Sequence, residues 1–266
     1  MGQHHSFWDI KYNKQLQLFN GHTDGVCSIE FSSFNCGRYL CSGSSDATIR
    51  LWDLETSKSL HTFNDYKKTI WCVAMSPLQN NDNDKSNDIG VIGGNGYTIC
   101  FGSKDTTIYI LDIETTKQLN IFKGHENWVR SVKYGSDELV NTILSGSDDR
   151  SVRLWDIRSG QQIQVFYGHK SAVCAVEYSP FVVNNIEVGG YSNVICSGSF
   201  DSTIRFWDIR SNKSELYVIK GDDKEDSTIT CFKLLQLKNN RRGKNNRSCD
   251  INLCYGLRKG SIRIWG

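Results

Sequence analysis

The chain has no run of about 18 apolar residues, so nothing in it reads as a membrane-spanning helix. Its amino terminus, MGQHHSFWDI, lacks the charged-then-apolar build of a secretory signal, and the expectation is an intracellular protein of the cytoplasm, the nucleus or both. Charge of one sign is also lacking: the formal net charge is +2, which selects neither nucleic acid nor a membrane surface as partner. Proline and methionine occur twice each, and no CxxC pair occurs among the 10 cysteines. The missing pair removes the usual spacing of zinc and redox sites, so no metal and no cofactor is expected. What is present is 23 glycines and 11% aromatic residues, a mix suited to short strands joined by tight turns.

Self-similarity organises the rest. Trp-Asp or a remnant of it closes five segments, at Leu51–Asp53, Ile110–Asp112, Leu154–Asp156, Phe206–Asp208 and Ile264–Gly266, and a further copy stands at Phe7–Asp9. Successive copies are 44, 59, 44, 52 and 58 residues apart, so a unit of 44 carries insertions in the longer intervals. Each unit reads as an alternating strand after Gly-His or its substitute, a small-residue strand such as YLCSGS, a turn with Asp, a strand such as TIRLWD, and a short fourth strand. The insertions, Gln79–Asp88, Phe181–Asn193 and Gln236–Asp250, all fall between the first and second strands and are expected on one face.

This motif set, repeated from Ser6 to Gly266, resembles the WD40 repeat family. The resemblance implies an all-β fold: a β-propeller with five recognisable four-stranded blades around a channel. The units run approximately over 10–53, 54–112, 113–156, 157–208 and 209–266 of a single domain, 1–266, and residues 6–19 supply closing-strand material. Lys14–Phe19 matches the fourth strand missing after Gly266, so the ring is expected either to close with a blade built from both ends or to be incomplete.

Serine, histidine and aspartate recur with tryptophan in three complete sets: His22, Ser42, Asp46, Trp52; His125, Ser145, Asp149, Trp155; and His169, Ser197, Asp201, Trp207. A catalytic triad needs one nucleophile in one pocket, whereas these sets recur with the blade, so they read as internal bracing and no enzyme is expected. The resemblance implies the same Trp–Ser–His–Asp chain. The second unit keeps only Asp105, with Tyr66, Phe101 and Leu111 elsewhere, and the fifth has Asp222, Tyr255, Lys259 and Trp265; both are expected to be the least rigid. Cys41, Cys100, Cys196 and Cys254 share one offset with Leu144, which marks an apolar core site.

Function is therefore expected on the surface. The resemblance implies that ligand-facing residues at the channel mouth lie three and five after the His and one before the turn Asp. Carried over, these are Gly25, Cys27 and Ser45; Thr69, Trp71 and Lys104; Trp128, Arg130 and Asp148; Ala172, Cys174 and Phe200; and Thr228, Thr230 and Arg258. The partner-binding candidates are Trp71, Lys104, Trp128, Arg130, Asp148 and Phe200, where aromatic walls beside Asp148 suit a peptide with a basic side chain. The expected function is a noncatalytic scaffold for protein or peptide partners, with no membrane, no small-molecule substrate and no nucleic acid. The alternative is a chromatin- or nucleic-acid-associated subunit of the histone-peptide reader type, using the channel mouth and the basic run Lys238–Arg247.

Overall fold

The fold is given by a computed structural model that describes residues 4–9, 11–12, 14–33, 37–76, 97–136, 139–179, 193–211, 215–221, 228–236 and 251–265. All regular elements among them are strands, so none is a helix long and apolar enough to cross a membrane. Five antiparallel sheets in a ring form a five-bladed β-propeller. The first blade is β3 (Val26–Phe31), β4 (Tyr39–Ser44), β5 (Ile49–Asp53) and β6 (Lys58–Phe63). The second is β7 (Ile70–Met75), β8 (Thr98–Ser103), β9 (Ile108–Asp112) and β10 (Gln118–Phe122). The third is β11 (Val129–Tyr134), β12 (Thr142–Ser147), β13 (Val152–Asp156) and β14 (Gln162–Phe166). The fourth is β15 (Val173–Tyr178), β16 (Val194–Ser199), β17 (Thr203–Asp208) and β18 (Tyr217–Lys220). The fifth has three strands, β19 (Ile229–Gln236), β20 (Ile251–Leu257) and β21 (Ile262–Trp265).

The amino-terminal segment does not complete the fifth sheet. Here β1 (His4–Asp9) and β2 (Lys14–Asn20) pair with each other, Ser6 opposite Leu18 and Asp9 opposite Lys14, in a separate two-stranded sheet. Expecting Lys14–Phe19 to serve as the strand after β21 is thus corrected: the FWD copy lies close in sequence and takes up the pairing edge of β2. The other side of β2 sends Phe19 edge-on against Trp52, centroids 5.6 Å apart, just as Phe122 meets Trp155 two blades further on.

Small residues in the second strand let the blades nest. A Cβ built on Gly102 would meet Val129 Cγ1 of the next blade at 2.5 Å and Cys72 Sγ at 2.7 Å; Gly43 and Gly146 stand in the same relation to Ile70 and Val173. Such strands are buried on both faces, which is why YLCSGS and TILSGS do not alternate. Gly102→Ala is therefore expected to force blades 2 and 3 apart and cost about 1–3 kcal/mol in a urea titration. Unaltered stability would mean that this seat is slack.

Polar contacts join neighbouring blades as well. Tyr134 Oη and Thr98 Oγ1 are 2.8 Å apart, as are Tyr178 Oη and Thr142 Oγ1, joining blades 3 and 4 each to its predecessor. The Val73 and Val176 amides donate to Ser28 and Ser131 across adjacent first strands. The long connections leave after Met75, Tyr178 and Gln236, at the ends of first strands remote from the Gly-His corner; the insertions themselves lie outside the described residues.

Candidate binding face at the channel mouth

The mouth is built by one irregularity used five times. The register between first and second strands slips between Val26 and Ser28, Ile70 and Cys72, Val129 and Ser131, Val173 and Ala175, and Ile229 and Cys231. The skipped residue is Cys27, Trp71, Arg130, Cys174 or Thr230. A bulge breaks the in-and-out alternation and re-aims the side chain it frees, here at the rim rather than into the wall. Beside each bulge one backbone bond recurs: Ser45, Lys104, Asp148, Phe200 and Arg258 donate to the carbonyls of Gly25, Thr69, Trp128, Ala172 and Thr228, at 2.8–3.0 Å. The three residues of each mouth set are thus held together in every blade, including the fifth, where the motifs are weakest.

Behind the rim, three blades carry the same polar chain. Trp155 Nε1 donates to Ser145 Oγ at 2.8 Å, Ser145 Oγ lies 2.8 Å from His125 Nε2, and His125 Nδ1 lies 2.8 Å from Asp149 Oδ2. Trp52, Ser42, His22 and Asp46 repeat it at 2.8, 2.7 and 2.9 Å, and Trp207, Ser197, His169 and Asp201 at 2.9, 2.8 and 3.0 Å. A carboxylate only accepts, so Nδ1 carries the imidazole proton, Nε2 accepts from the serine hydroxyl, and neutral histidine satisfies every partner. Burial holds His22 and His125 below the usual histidine range, against the opposing pull of the aspartates. Burial alone would raise the aspartates, but their hydrogen bonds outweigh it: Asp46 falls to about 2, and Asp149 and Asp201 lie well below the usual carboxylate range.

Each aspartate also fastens the turn that follows it. Asp149 Oδ1 accepts from the Ser151 hydroxyl and amide at 2.6 and 2.9 Å, and Asp46 and Asp201 do the same for Thr48 and Thr203. Between donor and acceptor sits a residue with positive φ: Ala47, Thr106, Arg150 and Ser202 after Asp46, Asp105, Asp149 and Asp201. That conformation costs a side-chain-bearing residue about 1–2 kcal/mol, which the carboxylate bonds offset. Where the aspartate is replaced by Lys259, the residue that follows is Gly260, at φ 90°. The D-x-[ST] signal for this turn is present in the sequence at four positions. Gly21, Gly124 and Gly168, ahead of the histidines, are constrained by packing, because a Cβ there would lie 2.9–3.0 Å from Cη2 of the buried Trp52, Trp155 or Trp207.

The second blade replaces this chain rather than keeping a fragment of it. Tyr66, Phe101 and Tyr109 form an aromatic cluster with centroids 4.7–5.2 Å apart, and Tyr109 Oη donates to Asp105 Oδ2 at 2.8 Å. The sequence reading missed Tyr109, which lies four positions after Asp105 and takes the place of the histidine as that carboxylate's partner. In the fifth blade Tyr255 is buried and Lys259 exposed, while Asp222 and the Trp265 side chain lie outside the described residues.

A family profile described as "WD domain, G-beta repeat" matches residues 13–53, 116–156 and 160–208, the stretches that carry the three polar chains. The chain belongs to the WD40 repeat family. Among curated relatives it is similar to Nuclear distribution protein PAC1 of Fusarium vanettenii, 27% identical over 133 residues, covering 49% of this chain and 27% of the relative. It is similar to Autophagy-related protein 16 of Arabidopsis thaliana, 30% identical over 125 residues, covering 47% of this chain and 21% of the relative. It also resembles the guanine nucleotide-binding protein subunit beta of Oryza sativa subsp. japonica, 28% identical over 121 residues, covering 43% and 27%. The matched part is thus about a quarter of the length of these relatives.

On this WD40 mouth, the candidates from blades 2 and 3 meet. The Arg130 guanidinium lies 4.2 Å from the Trp71 ring centroid and 5.0 Å from that of Trp128, and the two indoles are stacked at 5.7 Å and 19°. Lys104 Nζ stands 4.3 Å over Trp128. Arg130 donates through Nε and Nη2 to both oxygens of Asp148, each at 2.8 Å. The bulge thus delivers Arg130 into the place beside Asp148 where a partner's basic side chain is expected. Cys174 joins the group from blade 4: burial pushes its thiol up to about 12, with Arg130 opposing and Asp148 reinforcing. Among the described residues no ring contact joins Phe200 to the two tryptophans; it is half-buried at the corresponding position of blade 4. Missed by the sequence reading were Lys67 and Lys68, which are exposed on the rim of blade 2, as Lys104 is.

Proposed function

We propose that the chain is a noncatalytic protein-interaction module, and that its channel mouth at blades 2 and 3 takes an acidic segment of a protein partner. The carrying observation is the Trp71–Arg130–Trp128 stack capped by Lys104, in which the bulges at Trp71 and Arg130 bring those two side chains together with Trp128 and Lys104. Aromatic and arginine side chains held rigid in this way are those that dominate measured interfaces, because little conformational entropy remains to be lost on binding. Asp148 is paired with Arg130, and on the surrounding loops the exposed Lys67, Lys68 and Lys104 outnumber the exposed Asp65 and Glu126, an excess that favours carboxylates or phosphates on the partner. Relatives named as a G-protein β subunit, a nuclear distribution protein and an autophagy-related protein support a role in assembly rather than catalysis.

The test is affinity capture with quantitative mass spectrometry, comparing wild type with the Trp128→Ala, Phe200→Ala double variant and with Lys104→Glu. Truncating a central hot spot costs about 2–4 kcal/mol. Partners of the mouth are expected to fall by more than about tenfold in both variants. Equal recovery of the same partners would sink the proposal.

A further inference from the structure

In blades 1, 3 and 4 the third strand carries an arginine two residues before the tryptophan, and the three side chains share one pose. A Cβ built on Gly21, Gly124 or Gly168 would lie 2.6–2.9 Å from Nη1 of Arg50, Arg153 or Arg205, so each guanidinium rests over the glycine of its Gly-His corner. Two of the three are clamped. Arg153 Nη1 donates to Gln162 Oε1 at 2.7 Å, and Arg205 Nη1 donates to Glu215 Oε1 at 2.8 Å. A hydroxyl takes Nε in both, Ser151 Oγ at 3.1 Å and Thr203 Oγ1 at 3.4 Å. Arg153 and Arg205 are thereby sealed, at 8% and 9% exposure.

Arg50 has neither acceptor. Its Nε is buried with no partner, and among the described residues none accepts from Nη1 or Nη2. The difference lies on the fourth strand, where Ser59 stands opposite Trp52 as Gln162 stands opposite Trp155. Serine is too short to reach the guanidinium, and its hydroxyl donates to the His61 carbonyl at 3.3 Å instead. Arg50 is accordingly more open to solvent than its two counterparts. Its Cζ is held over the Trp52 ring, 5.8 Å from the centroid. A planar fork of donors is thus fixed beside the space of a missing planar acceptor, an arrangement preorganised for an oxyanion from outside.

We propose that Arg50 receives a carboxylate of a partner protein, in the space beside Ser59 that Gln162 and Glu215 fill in blades 3 and 4. The occupant is a carboxylate because both internal acceptors are flat groups that meet the guanidinium in its own plane. The turn aspartate does not forbid it. Glu215 shares blade 4 with Asp201, whose oxygens are engaged by His169 and Thr203, as those of Asp46 are engaged by His22 and Thr48. This site lies on the third strand of blade 1 and shares no side chain with the channel mouth.

The experiment follows the Arg50 Nε–Hε resonance of the full chain by NMR, assigned by its loss in Arg50→Lys, during titration with sodium acetate at constant ionic strength. Ser59→Ala leaves the space open, whereas Ser59→Glu and Ser59→Gln fill it from within. Ser59 is exposed, so all three variants are expected to keep the fold of the wild type. The expected result is a saturable shift in wild type and Ser59→Ala, weakened at least about tenfold in Ser59→Glu and Ser59→Gln. A shift that never saturates overturns the proposal, as does one of equal strength in Ser59→Glu. Saturation with inorganic phosphate but not with acetate assigns the site to a phosphoryl group and overturns the carboxylate. Lys104→Glu, which is expected to weaken partners of the mouth, leaves the acetate titration unchanged, so the two proposals fail separately. Loss of the shift in Lys104→Glu would trace it to the mouth and overturn the assignment to Arg50.

Discussion

Trp155→Ala is expected to lower stability by about 3–5 kcal/mol, a large share of the 5–15 kcal/mol available to a domain. The indole is 1% exposed and has Phe122 edge-on at 5.8 Å and His125 at 5.9 Å, so truncation opens a cavity between blades 2 and 3 that neighbouring strands cannot fill without breaking register. It also removes the donor that Ser145 Oγ accepts, leaving a buried hydroxyl and imidazole to share the chain from one end only. Leu111→Ala, at the same position of blade 2, makes the informative comparison. The polar chain does not run through Leu111, so its cost is expected to be the cavity alone, about 2–4 kcal/mol. Chemical denaturation of the two variants separates packing from hydrogen bonding. Equal losses would show that the Trp–Ser–His–Asp chain adds little beyond volume.

How far these features are readable in advance depends on whether the relevant contact is local. Strand order within a blade, the turn aspartates and the core cysteines follow from offsets inside one unit: Cys41, Cys100 and Cys196 are fully buried alongside Leu144, whereas Cys254, at the same offset in the fifth blade, is only half-buried. Burial pushes the Cys72 thiol, from another offset, up to about 12, an environment of the same apolar kind. Offsets fail where two partners compete for one segment. The pattern KQLQLF fits beside FWD or beside IWG equally well; hydropathy alone cannot choose, and it is the pairing of β2 with β1 that distinguishes them. The pairing of Asp148 was not legible for a similar reason. Its partner Arg130 is 18 residues away in sequence, and without the bulge the alternation would turn that arginine into the wall. The rim lysines Lys67 and Lys68 carry no motif at all; they matter because the backbone bond from Lys104 to Thr69 sets their loop beside Lys104.

Acid is expected to unfold the protein in two stages, and the sign of each follows from the bracing groups. His22 and His125 bind protons less readily in the folded state than in the unfolded chain, because burial disfavours the imidazolium. Their contribution is complete above about pH 6.5 and is lost as pH falls below it, where the unfolded state takes up protons that the folded state refuses. Protonation at Nε2 would also turn a second donor on Ser42 or Ser145, which already receives an indole N–H. Asp46, Asp149 and Asp201 are depressed, so their contribution is complete above about pH 3.8 and is lost below it, through about 2 for Asp46 and lower for the other two. Each tenfold difference in proton affinity is about 1.4 kcal/mol before solvent screening discounts it. A melting temperature flat from pH 8 to about 6.5, lower by a few degrees at pH 5 and lower by about 5–10 °C at pH 3 is the expected profile. His125→Gln, which cannot be protonated, is expected to start less stable but to flatten the first step. A first step of unchanged size in that variant would remove His125 as its source, and leave His22 to account for it.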